Sequence, residues 1–68
     1  MTKWEYCEVH WHEEGVTITL PQAGGKHISQ QFDTSEWHNV LARLGAEGWE
    51  LVSVLPDYWY YFKRPAGH

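Results

Sequence analysis

Two histidines, His10 and His12, sit two residues apart in the alternating stretch Trp4-Glu5-Tyr6-Cys7-Glu8-Val9-His10-Trp11-His12. On an extended strand that spacing places both imidazoles on one face, roughly 7 Å apart at Cα. This suits two ligands of one metal, with Glu8 on the same face as an oxygen donor. A third ligand would have to come from elsewhere, His27 or His38 being the candidates. The simpler reading is a pair of half-exposed histidines flanking Trp11 near a turn, so no metal site is assigned. Cys7 could act as a nucleophile with His10 or His38 as base. It shares its strand face with Val9 and Trp11, however, where a cysteine is ordinarily a small buried hydrophobe. Glu13-Glu14 reads as solvated turn charge. Gly24-Gly25-Lys26 lacks the spacing of a phosphate loop and has no helix directly behind it. Ser53 follows no nucleophile-elbow pattern. No acid, base and nucleophile converge in the sequence, which predicts a protein that is not an enzyme and carries no cofactor.

The elements that would position these residues are legible from periodicity. Residues 4–12 alternate as a strand, with Cys7, Val9 and Trp11 facing one way and Trp4, Tyr6, Glu8, His10 and His12 the other. Glu13-Glu14-Gly15 predicts a turn. Val16-Thr17-Ile18-Thr19-Leu20 predicts a second strand with Val16, Ile18 and Leu20 inward. Pro21 to Lys26 is loop chemistry, and His27 to Phe32 is a candidate third strand, although Ser29-Gln30-Gln31 is poor strand material. Asp33 and Glu36 form a capping-box pattern at a helix start, with Thr34 the alternative cap. Trp37, Val40, Leu41 and Leu44 recur at helical spacing as the buried stripe, and Gly48 stands where a left-handed C-terminal residue is expected. The helix spans about fourteen residues, roughly 20 Å. Trp49–Leu55 and Tyr58–Arg64 predict two further strands, separated by a turn at Pro56-Asp57 and ended by Pro65. The whole chain, 1–68, reads as one α+β domain: an antiparallel sheet of four to five strands with one helix packed on one face.

The strands do not show the apolar-in, polar-out pattern of a sheet with water on one side. Tyr58, Tyr60 and Phe62 alternate with Trp59 and Tyr61; Cys7, Val9 and Trp11 alternate with Trp4 and Tyr6; Trp49 and Leu51 oppose Val52 and Val54. One helix covers one face, so the aromatic second face needs another cover, and a symmetric homodimer is the simplest. Burying some 600 Å² of apolar surface per chain would supply a gross term of order 15 kcal/mol at about 25 cal/mol per Å², reduced by association entropy. The residues assigned to that interface are Trp4, Tyr6, Trp59 and Tyr61, with the helix-facing set as the alternative if strand register is shifted by one. A second class of function is a small-molecule or metal-ion binding protein whose aromatic-lined site lies at the subunit boundary, oriented by tyrosine hydroxyls and by His10 or His12.

Composition narrows the partners. The 68 residues carry nine carboxylates against five Lys/Arg, a net charge of −4, so no basic patch for nucleic acid is expected. The pair Lys63-Arg64 could contact one phosphate at most. No apolar run reaches the ~20 residues of a membrane span, and Lys3, Glu5 and Glu8 interrupt any signal-peptide core. With Cys7 the single cysteine, a reducing, cytoplasmic location is expected. Five Trp, four Tyr and two Phe supply bulk that the few aliphatics do not.

Three segments together resemble a known family: Trp4-Glu5-Tyr6, Leu44-Gly45-Ala46-Glu47-Gly48-Trp49-Glu50-Leu51-Val52-Ser53-Val54, and Tyr60-Tyr61-Phe62-Lys63-Arg64-Pro65. The chain is similar to a small bacterial domain of unknown function, family 4177, along nearly its whole length, with the central segment the specific part. The resemblance implies a compact α+β fold and a bacterial setting. It implies no catalytic or binding residues. The Trp/His-rich opening and the Gly24-Gly25 loop depart from the family pattern.

Overall fold

Alternation along the strands sets the layering of the molecule. The computed structural model describes residues 2–66. Strands β1 (Trp4–His12), β2 (Gly15–Pro21), β3 (His27–Phe32), β4 (Glu50–Leu55) and β5 (Trp59–Pro65) form one antiparallel sheet in the order β3-β2-β1-β5-β4. The polar segment 27–32 is thus a full strand. Its poor intrinsic propensity is overridden by continuous pairing with β2 from Val16↔Phe32 to Pro21↔His27.

Register defines the two faces. The pairs Cys7↔Phe62, Val9↔Tyr60, Val9↔Ile18, Trp11↔Val16 and Val16↔Phe32 place these side chains on one face. On it lies the core of Cys7, Val9, Val16, Ile18 and Phe62, closed by Val40, Leu44 and Trp49. The pairs Tyr6↔Lys63, Glu8↔Tyr61, Glu8↔Thr19 and His10↔Trp59 define the opposite, helix-free face.

The helix is shorter than its capping pattern suggests. Asp33 accepts a hydrogen bond from the Ser35 backbone N–H (3.0 Å), and Glu36 accepts one from the Asp33 N–H (3.4 Å), completing the capping box. The Ser35 hydroxyl also donates to Asp33, and these bonds, hydroxyl first, hold the Asp33 carboxyl below the usual carboxylate range. Residues 34–36 form a 3-10 turn, a common way for a helix to begin. The α-helix proper, α1, is Trp37–Ala46. It ends in a Schellman motif. Gly48 takes φ +89°, its N–H donates to the Gly45 carbonyl (3.0 Å), and the Trp49 N–H donates to Leu44 (2.9 Å). Leu44 and Trp49, the apolar pair that accompanies such a motif, are both in the core. Trp49 is therefore part of the helix stop, and β4 begins one residue later than the sequence predicts.

Two expectations need correction. First, α1 covers only part of its face. Five strands at ~4.8 Å spacing span about 19 Å, while a helix is about 10 Å across. Arg43 lies over Phe32 of β3 and Trp37 against Tyr60 of β5, which sets α1 over the β2–β1 side. Leu41, predicted to be buried, stays 37% exposed on the flank it shares with Trp37. Second, β4 does not alternate simply. A bulge between Leu51 and Ser53 pairs Leu51 with Phe62 and Val54 with Tyr60 on the helix side, and Ser53 and Leu55 with Tyr61 and Trp59 on the other. One extra residue, Val52, moves Val54 onto the same face as Leu51.

Candidate functional site

The four residues assigned to an interface lie on one face. Trp4 and Tyr6 from β1 and Trp59 and Tyr61 from β5 all project from the helix-free side of the sheet, as the register requires. Trp4 and Tyr6 are exposed, and Trp59 and Tyr61 are half-buried. Neighbouring side chains already cover two of these rings. Lys63 Nζ stands 4.0 Å from the Trp4 ring centroid, and His10 stacks on Trp59 at 4.0 Å with planes 8° apart. Flanked this way, the face is mixed in polarity, with Glu8 beside Tyr61 and Thr17 and Thr19 on the neighbouring strand β2.

His10 and His12 share that face with ring centroids 5.2 Å apart. The proposed third ligands are not brought to them. His27 pairs with Pro21, whereas the β2 partner of His10 is Thr17 and Thr17 faces Gln31. His27 is thus four residues along and two strands across from His10. His38 is on α1, on the other side of the sheet. Among the described residues no group of three or more His, Cys, Asp or Glu is gathered to hold a metal ion.

Cys7 is buried in the core opposite Phe62. Burial pushes its thiol up to about 11, outweighing the opposing pull of the Arg64 guanidinium. At neutral pH the sulfur is a protonated, inaccessible core atom, so it lacks the thiolate a nucleophile needs.

Arg64 has a role its position beside Lys63 does not suggest. Its Nε donates to Glu5 across the β1–β5 ladder, and a terminal nitrogen donates to the Glu47 carbonyl at the end of α1 (2.9 Å). The guanidinium lies 4.3 Å from the centroid of Trp49. One side chain thereby joins two strands, the helix C-terminus and the core indole. Its planar fork and cationic π-face suit it to all three contacts. The indole N–H of Trp49 finds no acceptor among the described residues.

A second aromatic cluster escapes a strand-by-strand reading. Trp11 of β1, Trp37 of α1, Tyr60 of β5 and Tyr58 of the β4–β5 turn line an open cleft of about 270 Å³ on the helix side. Trp11 and Tyr58 meet edge-on (5.3 Å, 63°), and Trp37 and Tyr60 meet at 5.0 Å and 47°. Asp57 and Tyr58 both take left-handed backbone conformations, with φ +68° and +62°. Such a conformation costs an L-residue about 1–2 kcal/mol. The Trp11 N–H holds the turn by donating to the Tyr58 carbonyl (3.1 Å). The sequence signal was present: Tyr58 and Tyr60 alternate on the same face as Trp11. Trp37 could be added only once the helix had been placed across the sheet.

The arrangement is that of an antiparallel α+β domain with aromatic surfaces on both sides of the sheet, and among the described residues no helix is long and apolar enough to cross a membrane. No protein-family model, curated protein or solved structure matches the chain.

Proposed function

We propose that this protein is a non-enzymatic interaction module that self-associates, as a symmetric dimer, through the sheet surface its helix leaves uncovered. The observation that carries this reading is β4. All six of its residues are exposed, and Leu51, Val52, Val54 and Leu55 remain 46–54% accessible. β4 is also an edge strand, with β5 on one side only. Natural edges are ordinarily blunted by lysine, proline or cover from a loop. This one carries a single charge, Glu50, and a bulge.

Two antiparallel copies of β4 are self-complementary about a two-fold axis, as a dimer interface must be. A standard interface hides roughly 800 Å² per partner, about one-sixth of the 5004 Å² surface of this chain. Trp4, Tyr6, Trp59 and Tyr61 are the further contacts of the reading, on the helix-free face beside it. Lys63 and His10 already shield two of those rings, so the principal contact belongs to β4. The small bacterial family that residues 44–54 resemble is consistent with this reading and adds no activity to it.

Sedimentation equilibrium and light scattering test the proposal. The 8.0 kDa chain is expected to run at twice its mass at micromolar concentration. Leu51→Lys and Val54→Lys, which place charge at half-exposed positions of the edge strand, are expected to return it to a folded monomer. A wild-type monomer across the micromolar range, or lysine variants that remain dimeric, would overturn it.

A further inference from the structure

We propose that the cleft between Trp11, Trp37, Tyr58 and Tyr60 binds a quaternary or N-methylated ammonium group. This inference is independent of self-association. Four aromatic side chains line the cleft, with no aliphatic or charged residue in its wall. The ring planes within its two pairs are inclined by 63° and 47°. The rings of each pair pack edge-on or tilted against each other, so the cleft presents inclined faces and ring edges rather than one flat platform, a shape that suits a compact, roughly spherical group. A planar ligand calls for parallel rings, and a sugar for one flat platform. A methylated ammonium is compact, apolar at its rim and positively charged, which matches the negative faces of such rings.

Charge within the chain points the same way. The protein already seats three of its own five Lys/Arg over aromatic rings: Arg43 over Phe32, Lys63 over Trp4 and Arg64 over Trp49. Among the described residues none lies over Trp11, Trp37, Tyr58 or Tyr60. The four rings of the cleft are thus not matched by an internal cation among the described residues, on a chain of net charge −4 that attracts cations from solution. The turn adds a further indication. At φ +62° a glycine would sit more easily at position 58, yet the chain places a tyrosine there, a residue 58% exposed that lines the cleft.

The test is a titration with choline and tetramethylammonium, followed by the indole N–H resonances of Trp11 and Trp37. The neutral isostere of choline, 3,3-dimethylbutan-1-ol, is titrated in parallel at matched ionic strength. Both cations are expected to saturate with a millimolar dissociation constant, and the neutral alcohol to bind several-fold more weakly. Tyr58→Gly removes one ring while relieving the backbone, so the fold is retained. It is expected to weaken choline binding by about two- to thirty-fold, the range for loss of one cation–π contact. Tyr58→Phe, which keeps the ring, should bind as the wild type does. Equal affinity for the neutral alcohol would make the cleft a simple apolar site and overturn the proposal. So would unchanged resonances at saturating choline, or a Tyr58→Gly protein that binds choline normally.

Discussion

Replacing Arg64 with alanine is expected to remove a large share of the stability although the side chain lies outside the core. Three contacts are lost together. The ion pair with Glu5 joins side chains only 29% and 25% exposed, so it belongs at the upper end of the ~0–1 kcal/mol typical of partly solvated pairs. The hydrogen bond to the Glu47 carbonyl is charge-assisted but exposed, worth about 1 kcal/mol. The cation over Trp49 contributes about 0.5–1 kcal/mol. Neighbouring terms overlap, which leaves a total of about 2–3 kcal/mol. A core of this size supplies only about 3–5 kcal/mol of net stability. The melting temperature of Arg64→Ala should therefore fall by roughly 10–20 °C. Urea and thermal unfolding followed by circular dichroism would measure it, at fixed protein concentration because the proposed association would contribute to apparent stability. A double-mutant cycle makes the test specific: Glu5→Gln should cost stability in the wild type and almost none in Arg64→Ala. A loss below about 0.5 kcal/mol, or equal costs for Glu5→Gln in both backgrounds, would refute the assignment of Arg64 as the link between the strands and the helix end.

Other expected outcomes follow from single positions. Gly48→Ala puts a Cβ at φ +89° and should cost about 1 kcal/mol or somewhat more, whereas Gly45→Ala, inside α1 with open space around its Cβ, should gain about 0.5–1 kcal/mol; paired urea titrations would show opposite signs. Cys7 should react with a thiol reagent at pH 7–8 only after denaturation. Its folded pKa of about 11 lies above the unfolded value of 9.0, so its contribution is complete below pH 9 and is lost as pH rises from 9 towards 11. Relative to Cys7→Ala, the wild type should therefore lose at most about 2–3 kcal/mol over that window. Trp59→Glu, which also breaks the stack with His10, should weaken assembly while leaving the helical circular dichroism signal intact; unchanged mass and stability would remove the helix-free face from the interface.

Much of the fold was legible because the period-2 pattern of residues 4–12 and 16–20, the Asp33/Glu36 capping box and Gly48 each have a local cause. Strand positions and helix stop follow from such causes, and Trp4, Tyr6, Trp59 and Tyr61 share a side as alternation requires, whereas the central β1–β5 pairing has no local cause. What was not legible depends on long-range geometry. The bulge at Val52 leaves no distinctive residue in the sequence, yet it re-aims Val54. Lys63 and Arg64 are adjacent in the chain, but the pleat sends one to Trp4 and the other to Trp49, on opposite faces. Adjacent positive charge therefore did not amount to a charged patch.

The width of the sheet connects these points. Counting one helix against two sheet faces treats α1 as a complete layer, whereas a helix about 10 Å across leaves roughly half of a five-stranded face open. The chain fills the opening unevenly. Near β1 and β5 it uses rings, and Trp11, Trp37, Tyr58 and Tyr60 form a cleft bounded by side chains. At β4 it places only aliphatics, with no further element outside them. As proposed, these two kinds of unfinished surface take different occupants: a small charged group for the rings and a second strand for the edge. Because Val54 pairs with Tyr60 across the β4–β5 ladder, the two surfaces share a border. Under the two proposals, the occupant of the edge and the occupant of the cleft would meet neighbouring residues of one ladder.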